Sequence, residues 1–175
     1  WGPETIGGIM VVLQISLVVV FTPSLAAGLF SGEHESGGWT LLRMTPLSPG
    51  RIMRGKLISV LWTLALLLLA TLPGYAVMIY IKPVLAQQVG YVMITLVLAS
   101  LFALVVSAMV SSFFQRTAPA SVVAYTLLAL TYGGTMMFWL GRDAPFGHAV
   151  VESVLTLNPM AAALSVMEVP GFEDY

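Results

Sequence analysis

The sequence predicts an all-α fold: a polytopic helical membrane protein with four spans, an interfacial helix in one connector and short helices near the C-terminus. Two observations carry this. Only 9% of the 175 residues are charged and 58% are hydrophobic, whereas a soluble domain carries roughly 25% charge. A water-facing surface cannot be built from so few ionisable groups. In addition, nearly charge-free stretches at 5–30, 57–81, 83–115 and 117–141 each exceed the roughly 20 apolar residues that a helix needs to cross a hydrocarbon core of about 30 Å. The runs lack the alternation in segments of about ten residues that marks barrel strands.

The expected organisation is one partial transmembrane domain over 1–175. The first span is expected at about 7–29. No basic region precedes it, so it does not read as a signal peptide, and the opening at Trp1 without an initiator Met suggests an excerpt or a processed chain. The second span is expected at about 57–80, with Pro73 kinking or ending it because proline lacks the ladder donor. The third, about 88–112, carries Ala99, Ala103, Ser107 and Ser111 at spacing four. Such a stripe of small residues permits close helix packing, and an alanine-rich span also produces one by chance. The fourth, about 118–140, places Pro119 in its first turn, where the missing N–H costs little. The segment 144–170 predicts two short interfacial or re-entrant helices, the second capped by Asn158 and opened by Pro159.

Orientation follows from the connectors. Arg43, Arg51, Arg54 and Lys56 fall between runs one and two, and Arg116 between runs three and four. If every run spans, these two connectors share a side. The opposite side receives only Lys82 and Arg142. Five basic residues against two place 31–56 in the cytoplasm and the C-terminal helices outside it.

The spans hold almost no ionisable side chains; Gln14 is the one strongly polar residue of the first. Ion-coupled carriers mark their path with Asp, Glu, His or Arg at bilayer depth, so this class is disfavoured. An intramembrane enzyme is disfavoured for the same want of polar groups. No HExxH or glycine-rich nucleotide loop occurs, and the absence of cysteine excludes thiolate metal sites and disulfides. "GEHE" at 32–35 lacks the spaced histidine pair of a metal helix, and His34 reads as a solvated residue. No catalytic, cofactor or metal site is expected in this chain.

The connector 31–56 therefore carries the functional interest. Ser31 reads as a helix cap with Glu33 and Glu35 in the first turn, favourably placed against the dipole. Trp39, Leu42 and Arg43 suit a helix lying at the interface, Pro46 stops it, and Ser48-Pro49 starts the helix that runs through Arg51, Arg54 and Lys56 into span two. By physics alone the connector is either an interfacial anchor with snorkelling basic residues or a platform that receives another protein.

"GLFSGEHESGGWTLLRMTPLSPGRIMRGKLIS", residues 28–59, resembles the signature of the type-2 family of ABC transporter permeases. Acidic Glu33 and Glu35 are followed by Gly38 through Leu42, then Thr45 through Ser48, then Gly55-Lys56. Gly37-Gly38-Trp39 stands where a Gly-Thr pair is commoner. The resemblance implies six spans in a complete member, of which this chain supplies the second through fifth, and an ATP-driven transporter subunit of the exporter type in a bacterial inner membrane. It implies that 31–56 is a coupling helix whose Glu33, Glu35, Trp39, Leu42 and Arg43 touch a cytosolic ATP-binding subunit, with Arg51, Arg54 and Lys56 at the membrane boundary. ATP and magnesium would belong to that subunit, and a second permease unit and membrane lipids would be the other partners, with no nucleic acid. The alternative is a non-transporting integral scaffold or sensor that uses the same connector. Cargo is not specified: Tyr125, Thr131 and Tyr132 either line a path or simply pack.

Overall fold

The computed structural model describes residues 3–38, 44, 48–140, 148–156, 158–169 and 172. Among them every regular element is helical: α1 Pro3–Ala26, α2 Gly28–Glu35, α3 Pro49–Ile81, a 3₁₀ turn Pro83–Leu85, α4 Ala86–Phe113, α5 Thr117–Leu128, a π-helical segment Ala129–Gly134, α6 Met136–Leu140, α7 His148–Leu155 and α8 Pro159–Val166. Four stretches are long and apolar enough to cross a membrane: Thr5–Glu35, Gly50–Ile81, Pro83–Phe113 and Thr117–Leu140. The chain is a polytopic α-helical membrane protein.

Large apolar side chains point outward on every span, for instance Leu13, Trp62, Ile94 and Val122, the last three 59–65% exposed. In water such a surface would aggregate; in lipid it is the natural one. The helix α3 does not end at Pro73 but continues to Ile81. The ring of Pro73 stands on an exposed face, and membrane helices tolerate proline where local adjustment re-satisfies the freed backbone groups.

The chain divides into two compact units, one formed by 1–17, 67–99 and 129–175, the other by 18–66 and 100–128. In the first, Val151, Leu155, Ala161, Leu164 and Phe172 form a core with Met136 and Trp139 against it. Trp139 and Phe172 stack at 4.7 Å between centroids. The short helices α7 and α8 bend by 104°, so neither alone is a crossing. The second unit holds two apolar clusters. Ala26, Leu29, Val60, Leu64 and Leu104 make one, and Ala27, Val110, Ala120 and Ala124 the other. Small residues dominate the latter, which lets helix backbones approach closely.

Candidate functional site

The connector side of the second unit is built around α2. The helix α1 contains Pro23 and ends at Ala26, and the amide of Ala27 donates to Pro23 O at 2.8 Å. Then α2 begins, with Ala27 at the cap position and no side-chain cap bond from its own residues. The expectation that Ser31 caps α2 is therefore corrected: Ser31 lies inside the helix, fully buried, its hydroxyl donating to Ala27 O at 2.7 Å. The capping acceptor comes from α4. Ser111 Oγ accepts from Phe30 N at 3.0 Å and from Ser31 N at 3.2 Å, serving two amides of the first turn of α2.

This shift of register moves the acidic pair. Glu33 and Glu35 sit in the last turn of α2, not the first, where its own dipole is unfavourable to them. Gly37, at φ 70°, closes the helix in the left-handed conformation open to glycine. Each carboxylate is instead matched by a tertiary partner. Glu33 Oε1 pairs with Lys56 Nζ near the start of α3. Glu35 Oε2 accepts from Thr117 N at 2.9 Å and from Thr117 Oγ1 at 2.7 Å. Thr117 opens α5, so Glu35 is the acidic group at that helix's N-terminus, the end that favours negative charge.

A run of 31 residues, Thr5–Glu35, exceeds the roughly 20 needed to cross, and its two carboxylates, Glu33 and Glu35, stand together in its last turn. There the hydrogen bonds from the Thr117 hydroxyl and amide hold the Glu35 carboxyl below the usual glutamate range, outweighing an opposing desolvation, and the Arg116 charge adds a lesser lowering effect. The bond also brings the 31–56 connector together with the turn between α4 and α5, the two segments that parity assigns to one side.

Of the other residues singled out, Arg51 and Arg54 are exposed on the first turns of α3, and Lys56 is engaged with Glu33. Trp39, Leu42 and Arg43 lie outside the described residues. His34 is exposed, and the described residues bring no three His, Asp or Glu side chains together. Ala99, Ala103, Ser107 and Ser111 are all fully buried, but they differ in kind. Ser111 is a hydrogen-bonding post, whereas Ser107 Oγ has no partner and contributes packing alone.

No family model, curated protein or solved structure matches the chain. The functional reading rests on residues and geometry.

The first unit holds two polar networks at depth. Tyr75 donates to Gln14 Oε1 at 2.9 Å, Gln14 Nε2 donates to Thr71 Oγ1 at 2.6 Å, and Thr71 Oγ1 donates to Leu68 O at 2.7 Å. Gln14 thus ties α1 to α3, the kind of internal satisfaction that a polar group in lipid requires. In the second network Asn158 uses its whole amide: Oδ1 accepts from Met160 N at 2.8 Å, while Nδ2 donates to Tyr132 O at 3.0 Å and Thr135 Oγ1 at 2.7 Å. Asn158 caps α8 as its sequence predicts, with Pro159 at the first helical position. Its second role was not visible in sequence. In the π segment the amide of Thr135 reaches back five residues to Leu130 O at 3.2 Å, and the Tyr132 carbonyl is met by Asn158. Tyr132 donates to Ala99 O at 2.8 Å and Tyr125 to Val20 O at 2.8 Å. Both tyrosines tie helices together, so packing accounts for their placement.

Proposed function

We propose that this chain is the transmembrane subunit of an ATP-driven transporter of the type-2 ABC permease class, working with a cytosolic ATP-binding subunit and a second permease unit. ATP and magnesium belong to the ATP-binding subunit, and export is the direction that the resemblance favours. The observation that carries the reading is the pair of tethers on α2: Glu33 to Lys56 on α3 and Glu35 to Thr117 on α5. A displacement applied to the connector is delivered through charge-assisted bonds to the starts of two spans. Such a device needs no ionisable group at bilayer depth and no catalytic group of its own, which suits spans as apolar as these. The contact with the ATP-binding subunit is assigned to the connector, with Trp39, Leu42 and Arg43 alongside Glu33 and Glu35, in a bacterial inner membrane.

The test is purification from the native membrane followed by mass spectrometry and MgATP hydrolysis. A chain bearing nucleotide-binding loops should co-purify, and its hydrolysis rate should change on assembly. Replacing both Glu33 and Glu35 with Ala should abolish that change while leaving membrane insertion intact. Failure of any nucleotide-binding chain to co-purify, or indifference of the complex to disruption of 31–47, would overturn the reading. Assembly without ATP-dependent movement of cargo in vesicles would favour the scaffold alternative.

A further inference from the structure

We infer that Ser111 is a positioning residue that sets the direction in which α2 leaves α1 and so holds Glu35 on Thr117. This rests on the coupling role proposed above only for its functional consequence. A hydroxyl offers one proton and two lone pairs. Both lone pairs of Ser111 Oγ are taken by the amides of Phe30 and Ser31. Its remaining direction faces Ser31 Oγ at 3.5 Å, while the proton of Ser31 goes to Ala27 O. One carbonyl and two hydroxyls thus close a circuit at the joint between α1 and α2.

The circuit lies away from the surface. Ser31 and Ser111 are fully buried. Their neighbours in sequence belong to apolar clusters: Leu29, Phe30 and Ala108 to one, Val110 to the other. Two amides left without an acceptor in such a setting are costly. The available relief is to rebuild the continuous ladder, with Phe30 and Ser31 donating to Ala26 and Ala27 carbonyls. A side chain inserted into that ladder is a recognised cause of helix bending, and withdrawing it re-aims α2. Glu35, at the far end, then loses Thr117. Ser111 therefore selects between two packings of the same segment, and the selection is read out at the connector. Ser107, one turn away in α4 with an unbonded hydroxyl, is the internal control.

The experiment uses the complete chain assembled with its ATP-binding subunit in lipid nanodiscs, comparing Ser111→Ala, Ser111→Thr and Ser107→Ala. Hydrogen exchange of the 28–36 segment and of the Thr117 amide should accelerate on the order of 5- to 30-fold in Ser111→Ala, return toward wild type in Ser111→Thr, and stay within twofold in Ser107→Ala. The change in MgATP hydrolysis on assembly should fall several-fold in Ser111→Ala alone. Unaltered exchange in Ser111→Ala, or equal acceleration in Ser107→Ala, overturns the inference. Faster exchange of 28–36 with Thr117 unmoved also overturns it, because Ser111 would then serve only local stability. A wild-type complex that never hydrolyses MgATP refutes the permease reading instead, and the exchange of Thr117 still decides the joint.

Discussion

Replacing Asn158 with Ala should destabilise the first unit by about 1.5–2.5 kcal/mol. Two losses combine. Removing an Asn helix cap typically costs about 1 kcal/mol, and here it caps an eight-residue helix with little cooperativity of its own. The second loss is the donor to Tyr132 O, a carbonyl in the π segment of a residue that is 2% exposed. Losing a hydrogen bond to a buried acceptor costs about 0.5–1.5 kcal/mol net. Side-chain bonds between membrane helices average only about 0.6 kcal/mol in double-mutant cycles, so the Thr135 bond adds little and the backbone acceptor dominates. Asn158→Asp separates the terms: its carboxylate keeps the cap to Met160 N but cannot donate to Tyr132 O, and it faces that oxygen with like polarity. It should be at least as destabilised as the Ala variant at neutral pH and should recover as acid restores a donor proton. Reversible unfolding in bicelles, followed by Trp139 fluorescence, gives the values. An Ala variant within about 0.5 kcal/mol of wild type, a change typical of uninvolved surface sites, would refute the reasoning.

Two further outcomes follow from local geometry. A Cβ on Gly8 would stand 2.7 Å from Val169 Cγ2, a branched and stiff side chain, whereas on Gly7 it meets the flexible ends of Met167 and Met78. Overpacking costs about 1–3 kcal/mol against the roughly 1 kcal/mol that Ala gains over Gly in a helix, so Gly8→Ala should lower the unfolding midpoint and Gly7→Ala should leave it nearly unchanged; equal effects would contradict this. For Glu35, the native carboxyl is held below the ordinary glutamate value of about 4.3, so its contribution is complete above that pH and is lost as pH falls through the lower native value. The Thr117 amide resonance should titrate with a midpoint below about 4.3 and lose this dependence in Glu35→Gln; a midpoint at or above it would show that the bond does not form.

The four spans were legible because lipid imposes a long apolar run that few other folds require, and no tertiary detail is needed to see it. Asn158-Pro159 was legible for the opposite reason: a cap is local, and its donor lies two residues on. Ser31 misled because a Ser followed closely by acidic residues is the local pattern of a helix start. What overruled it was an acceptor 80 residues away in sequence, Ser111, whose presence in a small-residue stripe announced close packing but not a hydrogen bond. The partners of the acidic pair were hidden in the same way. Glu33 and Glu35 were visible as the charged part of the connector, yet which cation or amide each would meet depends on how α3 and α5 pack. Pro73 suggested a break that the exposed face of α3 absorbs.

The π-helical turn at Ala129–Gly134 amounts to one residue more than an α-helix would use over the same rise. Since each α-helical residue advances the side-chain direction by about 100°, the residues beyond it run out of phase with those before it. Leu128 and Ala124 share one face of the fourth span with Ala120, all three wholly enclosed, but that face cannot simply be extrapolated to Met136 or Trp139. Deleting Gly133 would shorten the chain by a single residue and rotate the whole end of the span, carrying the Thr135 hydroxyl away from the Asn158 amide. The fourth span is tuned by an offset in phase, and its length could stay almost constant while its last turns pointed elsewhere.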